Sequence, residues 1–486
     1  MSGELKDELA EASDASGGKS VGVAPAVGKY QQQLSRGLSF KENVLITLSS
    51  VTPASSVFII MPAVIAGLGG AAALAFAIAA VISIFVALCY AELSSAFPVT
   101  GGEYAFVARS VGKAWGFALF ALSLMSGIGI ICVIAAGAGQ YLSVLTPALS
   151  GGWVGIVVIV LTTVVACVGI KTNAWLTGVF LVIEVLALVV LVVLGVVHVD
   201  QPVSRLWEAT TIGSSGALGP VSAGIVLSFI PTALFSYNGY GAAVYYAEET
   251  KNARSTIGRA IFWSLGITVG AELVPLVFVI LGTPSMTKLI GATSPMNYFL
   301  LARGGEVVNT LVSLGIAIAV INAVLAIVLQ IARMLFSSAR DRSWPDAVSR
   351  PLSVVSERFK TPVVATIVVG VVSALVLWLI PFDVLLISTS ANLVVVYLLV
   401  GVAALLGRIN HSTDAGEYRM KLWPAAPIIM IVATAVILVM SLVANWVPVV
   451  VTLAMLAAGL IYYTLYLRPR LSDRWTLPNP ADEELV

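Results

Sequence analysis

Thr52-Pro53-Ala54-Ser55-Ser56 sits near the middle of an apolar run over residues 42–66, and Pro62 follows within the same run. A run of that length is what a helix needs to cross about 30 Å of hydrocarbon. Proline removes a backbone donor and disfavours helical geometry at the residue before it, so this cluster predicts an interruption inside the membrane. A second cluster, Pro231 followed by Ser236-Tyr237-Asn238-Gly239-Tyr240-Gly241, interrupts another apolar run over 219–247. Working outward at about 20 residues per span, the chain reads as twelve spans: 42–66, 71–97, 114–145, 152–170, 173–198, 219–247, 258–281, 307–337, 363–382, 384–406, 424–443 and 446–467. The two interrupted runs are the first and the sixth. Five spans of separation is the offset expected if two five-helix halves repeat in inverted topology.

Charge patterning orients the spans. With the N-terminus in the cytoplasm, all but three of the 26 Lys and Arg fall on that side; the exceptions are Arg205, Lys288 and Arg303. That is the positive-inside pattern of a polytopic membrane protein. Arg109 and Lys113, Lys171, then Lys251, Arg254 and Arg259 occupy successive inner links. The longest charged link, from Arg340 to Lys360, is expected to hold short helical or turn pieces. The outer link at 67–70 is only Gly-Leu-Gly-Gly, a tight turn that sets consecutive spans side by side. An even number of spans returns the C-terminus to the cytoplasm, in agreement with Arg468, Arg470 and Arg474.

Composition supports this reading. Mean hydropathy is +1.01, and 59% hydrophobic against 10% charged residues does not fit a soluble surface. Residues 1–35 are rich in Ser, Gly, Ala and charge and read as a disordered cytoplasmic tail, as does the polar end 468–486. Cys89, Cys132 and Cys167 lie in or beside apolar runs without CxxC spacing, and read as small membrane hydrophobes. His198 and His411 fall in links on opposite sides, which gives no support to a metal or haem site. The chain carries no Walker motif, so direct ATP coupling and enzymatic activity are not expected.

Function is therefore sought at polar positions within spans. Unwound backbone at membrane depth is affordable only where it lines a cavity. At Thr52–Ser56, helix-terminal amides and hydroxyls suit an anionic group such as a carboxylate. In the sixth span, carbonyls before Asn238 suit an ammonium, and Phe235, Tyr237 and Tyr240 suit an aliphatic part or a cation. Two acids are read within spans: Glu184 in the fifth, and Glu272 in the seventh, three residues before Pro275. Ionisable groups at that depth are costly and mark ion or proton paths. Both are candidates for proton coupling.

Three segments resemble those of the amino acid-polyamine-organocation (APC) superfamily of permeases, which have the leucine-transporter fold. They are Pro98-Val99-Thr100-Gly101-Gly102-Glu103-Tyr104, then Phe235-Ser236-Tyr237-Asn238-Gly239-Tyr240, and Glu248-Glu249-Thr250-Lys251-Asn252 with Arg254 and Arg259-Ala260-Ile261. The resemblance covers about 35–467. It implies an all-α integral membrane fold: a first repeat at 36–206, an inverted second repeat at 207–407, and two peripheral helices at 408–467, working by alternating access. It also implies that Thr52, Pro53, Ala54, Ser55 and Ser56 hold a substrate carboxylate. The carbonyls of Leu234, Phe235, Ser236 and Tyr237 would take the amino group, with Phe235 occluding the site beside Asn238 and Tyr240. Glu103, Tyr104, Glu249 and Lys251 acquire a role in cytoplasmic gating or packing. The chain departs from the family pattern at three places. Many members have a Gly-rich first break, some carry a gating Glu where Gly241 stands, and many place a Lys at Glu184, where its ammonium occupies the region used for sodium in relatives.

The expected activity is import of a small amino acid or related amine, with protons favoured over sodium as coupling ion and no cofactor. A cation bound to ionised Glu184 is the competing arrangement. Substrate/product exchange and a non-transporting membrane sensor or scaffold are the alternatives, and a channel has no filter motif in its favour. The expected surroundings are the lipid bilayer of a bacterial inner membrane, without nucleic acid or an obligate protein partner.

Overall fold

The computed structural model describes residues 37–99, 101–168, 174–213, 216–356, 359, 361–472 and 474–475. The N-terminal tail, Thr100, Lys171, Arg358, Lys360 and the chain beyond 475 lie outside the described residues. In order, the helices are α1 (Phe40–Val51), α2 (Met61–Leu68), α3 (Ala72–Ala96), α4 (Gly102–Ser110), α5 (Lys113–Leu142), α6 (Trp153–Val168), α7 (Ala174–Val197), α8 (Ala223–Ser228) and α9 (Ile230–Ser236). There follow α10 (Ala253–Gly282), α11 (Met286–Gly291), α12 (Pro295–Arg340), α13 (Asp346–Leu352), α14 (Val363–Leu379), α15 (Phe382–Ile409), α16 (Ala425–Ala444) and α17 (Trp446–Tyr462). Among the described residues nine helical stretches are long and apolar enough to cross a membrane, and three more apolar ones are shorter: Trp153–Val168, Ala223–Ser236 and Val363–Leu379. The architecture is that of an all-α integral membrane protein.

Local chemistry sets the ends that matter. Ser39 opens α1 with a capping box: its Oγ accepts from the Glu42 N–H at 3.5 Å, and Glu42 Oε2 accepts from the Ser39 N–H at 2.7 Å. The helix stops at Thr52, whose φ of 47° and ψ of 65° place a β-branched residue in the left-handed region. Pro53 is the cause, since the helical conformation is disfavoured immediately before it. The chain resumes at once as the turn Pro53–Ser55, with Ser56 N–H donating to Thr52 O at 3.2 Å, then a π turn over Ser56–Ile60 ahead of Pro62. The break expected over Thr52–Ser56 is thus confined to Thr52, because proline at the first helical position starts a helix as readily as it ends one.

The sixth run begins later than its hydropathy suggests. Residues 218–220 are the strand β2 (Leu218–Pro220), paired antiparallel with β1 (Thr210–Ile212), and the helix starts only after the Ser222 cap, whose Oγ accepts from Ile225 N–H. Its interruption spans Tyr237–Gly239 and not 236–241: Ser236 closes α9, and Tyr240 opens a 3-10 stretch to Glu249. The eighth run also differs. Gly305, at φ 77° and ψ −179°, kinks α12, and the segment before it extends the helix back to Pro295.

α3 packs along α10, and α5 packs between α12 and α15. The starts of α1, α5 and α10 meet the ends of α3, α12 and α15 at one end of the bundle. Leu38 bridges Thr250 there, and Arg254 reaches Ala415 O. Arg109, Lys113, Arg259, Arg340 and Arg408 flank the same helix ends, so it is called the basic end below. At the opposite end Arg303 pairs with Asp200 and Arg205 with Glu208.

Candidate functional site

The two interruptions touch. A Cβ on Gly239 would come within 2.8 Å of Val51 Cα. Only glycine permits that approach, and its φ of 116° is a second reason for it. On the other side of each break, Ser56 Oγ donates to Ser236 O at 2.7 Å. The broken spans are therefore joined both by backbone contact and by a buried hydrogen bond.

A cavity of about 130 Å³ opens beside this junction. Thr52, Ser55 and Ser56 line it from the first break, and Phe235, Ser236, Asn238 and Tyr240 from the sixth. Pro53, Ala54, Leu234 and Tyr237 lie off it. The rest of the wall is largely aliphatic: Ile130 and Ile134 of α5, Ile327 and Ile331 of α12, Leu393 and Val396 of α15. Ser126, Gln330 and Thr389 add polar points that the sequence reading did not single out. They carry no local signal, because an isolated polar residue in an apolar helix announces itself only once its face is known. Away from the basic end, buried aromatics close the cavity region. Tyr141 stacks edge-on to Phe58 and donates to its carbonyl, and Tyr237 does the same with Phe76. Toward the basic end the lining continues through Tyr90, Glu103, Tyr245 and Met334.

The two acids take different places. Glu184, 2% exposed, lies beside the backbone N–H of Ala54 at the start of the resumed helix, where helix-terminal amides lack intrahelical partners. Its Oε2 has no hydrogen-bond partner. Glu272 is fully buried, accepts from Ser236 Oγ at 2.7 Å through Oε2, and leaves Oε1 without a partner. Of the carbonyls expected to receive an amine, Phe235 O already accepts from Asn238 N–H at 3.1 Å and Ser236 O from Ser56.

A third acid within a span escaped the sequence reading. Glu92 of α3, 1% exposed, receives Arg408 Nε at 2.7 Å and Nη2 at 2.8 Å, and the Met420 N–H at 2.8 Å. Arg408 also covers the Trp423 ring. This bidentate pair ties α3 to α15 and to the link after it. Its partner lies 316 positions away, which is why only the tertiary structure reveals it.

The predicted gating residues gather at the basic end. Glu103 stands in the first turn of α4 and accepts from Tyr90 OH at 3.1 Å and from Tyr245 OH. Enclosure by protein pushes its carboxyl above the ordinary range, against the opposing pull of these two hydroxyls. Tyr104 packs on Phe120 and Trp475. Glu249 and Lys251 act through backbone: Glu249 O accepts from Leu38 N–H, and Lys251 N–H donates to Leu38 O, both at 2.9 Å. They fasten the start of the first span to the end of the sixth.

Residues 38–467 match the family model for amino acid permeases. The chain belongs to that family. As an amino acid permease it falls within the APC superfamily. It is similar to the branched-chain amino acid permease BcaP of Bacillus subtilis, at 24% identity over 93% of this chain and 97% of the relative. An uncharacterized transporter of Mycobacterium bovis is 30% identical over 70% of this chain and 73% of its own. A probable GABA permease of Pseudomonas aeruginosa is 26% identical over 85% and 89%. The permease thus shares nearly its whole membrane region with transporters of amino acids and related compounds.

Proposed function

We propose that the permease imports a small amino acid or related amine together with protons, by alternating access between two inverted five-helix repeats at 36–206 and 207–407, with 408–467 peripheral. The observation that carries the reading is the junction of the two breaks, where Ser56 donates to Ser236 O at the wall of a cavity holding free polar groups from both. In this reading the resumed helix after Thr52 receives the substrate carboxylate at the Ser55 amide and hydroxyl, since Ala54's amide faces Glu184. Carbonyls closing α9 take the amino group, and Phe235 covers it. The aliphatic wall favours an uncharged branched side chain, in keeping with the substrate class in the name of the Bacillus relative.

In this reading the basic end faces the cytoplasm, in keeping with the positive-inside rule, both termini lie on that side, and the membrane is a bacterial inner membrane. The cavity then runs inward and is closed outward by the Phe58–Tyr141 and Phe76–Tyr237 pairs, an inward-facing state. Glu184 and Glu272 are the coupling candidates, one at each break. The test is uptake by proteoliposomes of the full chain, with L-leucine, L-valine and γ-aminobutyrate as probes. Saturable uptake driven by an inward proton gradient and abolished by a protonophore is expected. Uptake that ignores the gradient and requires an internal amino acid would replace this reading with exchange.

A further inference from the structure

One face of α10 presents Ser264, Thr268 and Glu272 at successive intervals of four, in a helix that is otherwise apolar beyond Arg259. α10 packs along α3 over much of its length. Gly258 packs on Ala91 near one end of the seam, and Tyr237, bonded to Phe76 O, borders Glu272 near the other. The helices are therefore antiparallel, and Ser83 falls between these two points. Ser83, Ser264, Thr268 and Glu272 are all fully buried, and Tyr240 is 1% exposed.

Each of the five carries an oxygen without a protein partner: Ser83 Oγ, Ser264 Oγ, Thr268 Oγ1, Glu272 Oε1 and Tyr240 OH. Hydroxyls elsewhere in the bundle divide: Ser126, Ser373 and Ser441 also lack a partner, each the one such hydroxyl on its helix, and others bond their own backbone. Thr162, Thr163, Thr366, Ser390 and Thr434 all bond the carbonyl four residues back in their own helix. A buried polar atom left unpaired is costly, and bound water is the usual remedy where several such atoms converge. The series continues beyond the seam. Tyr240 stands between Ser83 and Tyr397, Tyr397 packs edge-on against Tyr90 at 6.3 Å, and Tyr90 donates to Glu103.

We propose that the seam between α3 and α10 holds a file of bound waters that carries the coupled proton between Glu272 and Glu103, running behind the substrate cavity along α10 and meeting its wall only at Tyr240, Tyr397, Tyr90 and Glu103. This rests on the proton-coupled reading above. The Glu272 carboxyl gives its proton to the first water, each water passes one on as it receives one, and the Glu103 carboxylate takes the last. Only O–H bonds break and form, and no oxidant or reductant is needed. Ser264 and Thr268 do not line the substrate cavity, so their role is separable from substrate binding. Tyr237, beside Glu272, Cys89, beside Tyr240, and Tyr245, which donates to Glu103, also border the path.

The closing experiment has two arms on the full-length protein in liposomes. Radiolytic hydroxyl-radical footprinting reads bound water directly: Leu265 and Cys89, both buried, become labelled in the wild type, and S264A/T268V lowers that labelling about fivefold. Absence of labelling in the wild type overturns the water file whatever the protein transports. In the second arm an internal pH-sensitive dye follows proton entry during L-leucine uptake. T268V and S264A/T268V are expected to lower proton entry per substrate about tenfold while leaving leucine counterflow unchanged, and T268S, which keeps the hydroxyl, restores it. Unchanged proton entry in the double variant overturns the path. A labelled wild type that moves substrate without protons removes the proton-coupled reading and the conducting role together, a result distinct from failure of the path alone.

Discussion

The two interrupted spans reach the same outcome by opposite means. In the first, proline forces the break: Pro53 drives Thr52, a poor residue for the left-handed region, to φ 47°. In the sixth, glycine permits it: Gly239 reaches φ 116° and leaves room for the Val51 backbone. The first break holds strain in one residue and resumes immediately, keeping helix-terminal amides in place against Glu184. The sixth is longer and changes helix type on its far side, from α to 3-10. The difference suggests a division of labour, with a rigid cradle on one side and a more adaptable element on the other.

The largest effect is expected from Gly239→Ala. A Cβ there meets Val51 Cα at 2.8 Å and sits on a backbone that L-residues avoid. Transport should be lost and the detergent-solubilised protein should melt several degrees lower. Retained uptake with an unchanged melting curve would show that the breaks are not locked together. Thr52→Gly should act the other way on stability, because it removes the left-handed penalty at a position the proline has already fixed. A gain of about 1 kcal/mol is expected, read by denaturation in detergent, together with weaker substrate affinity from loss of a cavity hydroxyl. A fall in stability would mean that the Thr52 side chain contributes more than its backbone costs.

The smallest effect concerns the basic end, where α3 and the far side of the sixth span meet Glu103 through Tyr90 and Tyr245. Its carboxyl is held above its ordinary range by enclosure. The folded protein therefore binds this proton more tightly than the unfolded chain. The associated stability is present at low pH and is lost as pH rises through the raised value. Glu103→Gln removes the titration, so the fall in melting temperature between pH 5 and pH 8 should be shallower than in the wild type. Parallel curves would assign the pH dependence to another group.

Much of this organisation is written locally. The Ser39–Glu42 cap, the proline before which Thr52 must leave the helix, and the glycine-bearing second break are all readable from neighbours in the chain. Helix edges were misplaced where hydropathy and backbone chemistry disagree. Leu218-Gly219-Pro220 is apolar enough to extend a span but forms a strand, and 295–304 is too polar to extend one but is helical. Site residues were legible in proportion to their local signal. Thr52, Ser55, Ser56, Phe235, Ser236 and Asn238 announce themselves beside a break and line the cavity. Glu92 gave no such sign, because its importance depends on an arginine brought from another helix.

Sequence alone settled that this is a helical membrane protein of the amino acid permease family with two broken spans, because span length, charge alternation and the proline and glycine clusters are properties of contiguous chain. Tertiary structure decided what the breaks do. It set Gly239 against Val51, turned Glu184 toward the Ala54 amide and Glu272 toward Ser236, and left Ser264, Thr268 and Glu272 Oε1 buried and unpaired along α10. Those relations depend on which faces of distant helices meet, and an apolar helix presents nearly the same chemistry on every face until its neighbours are in place.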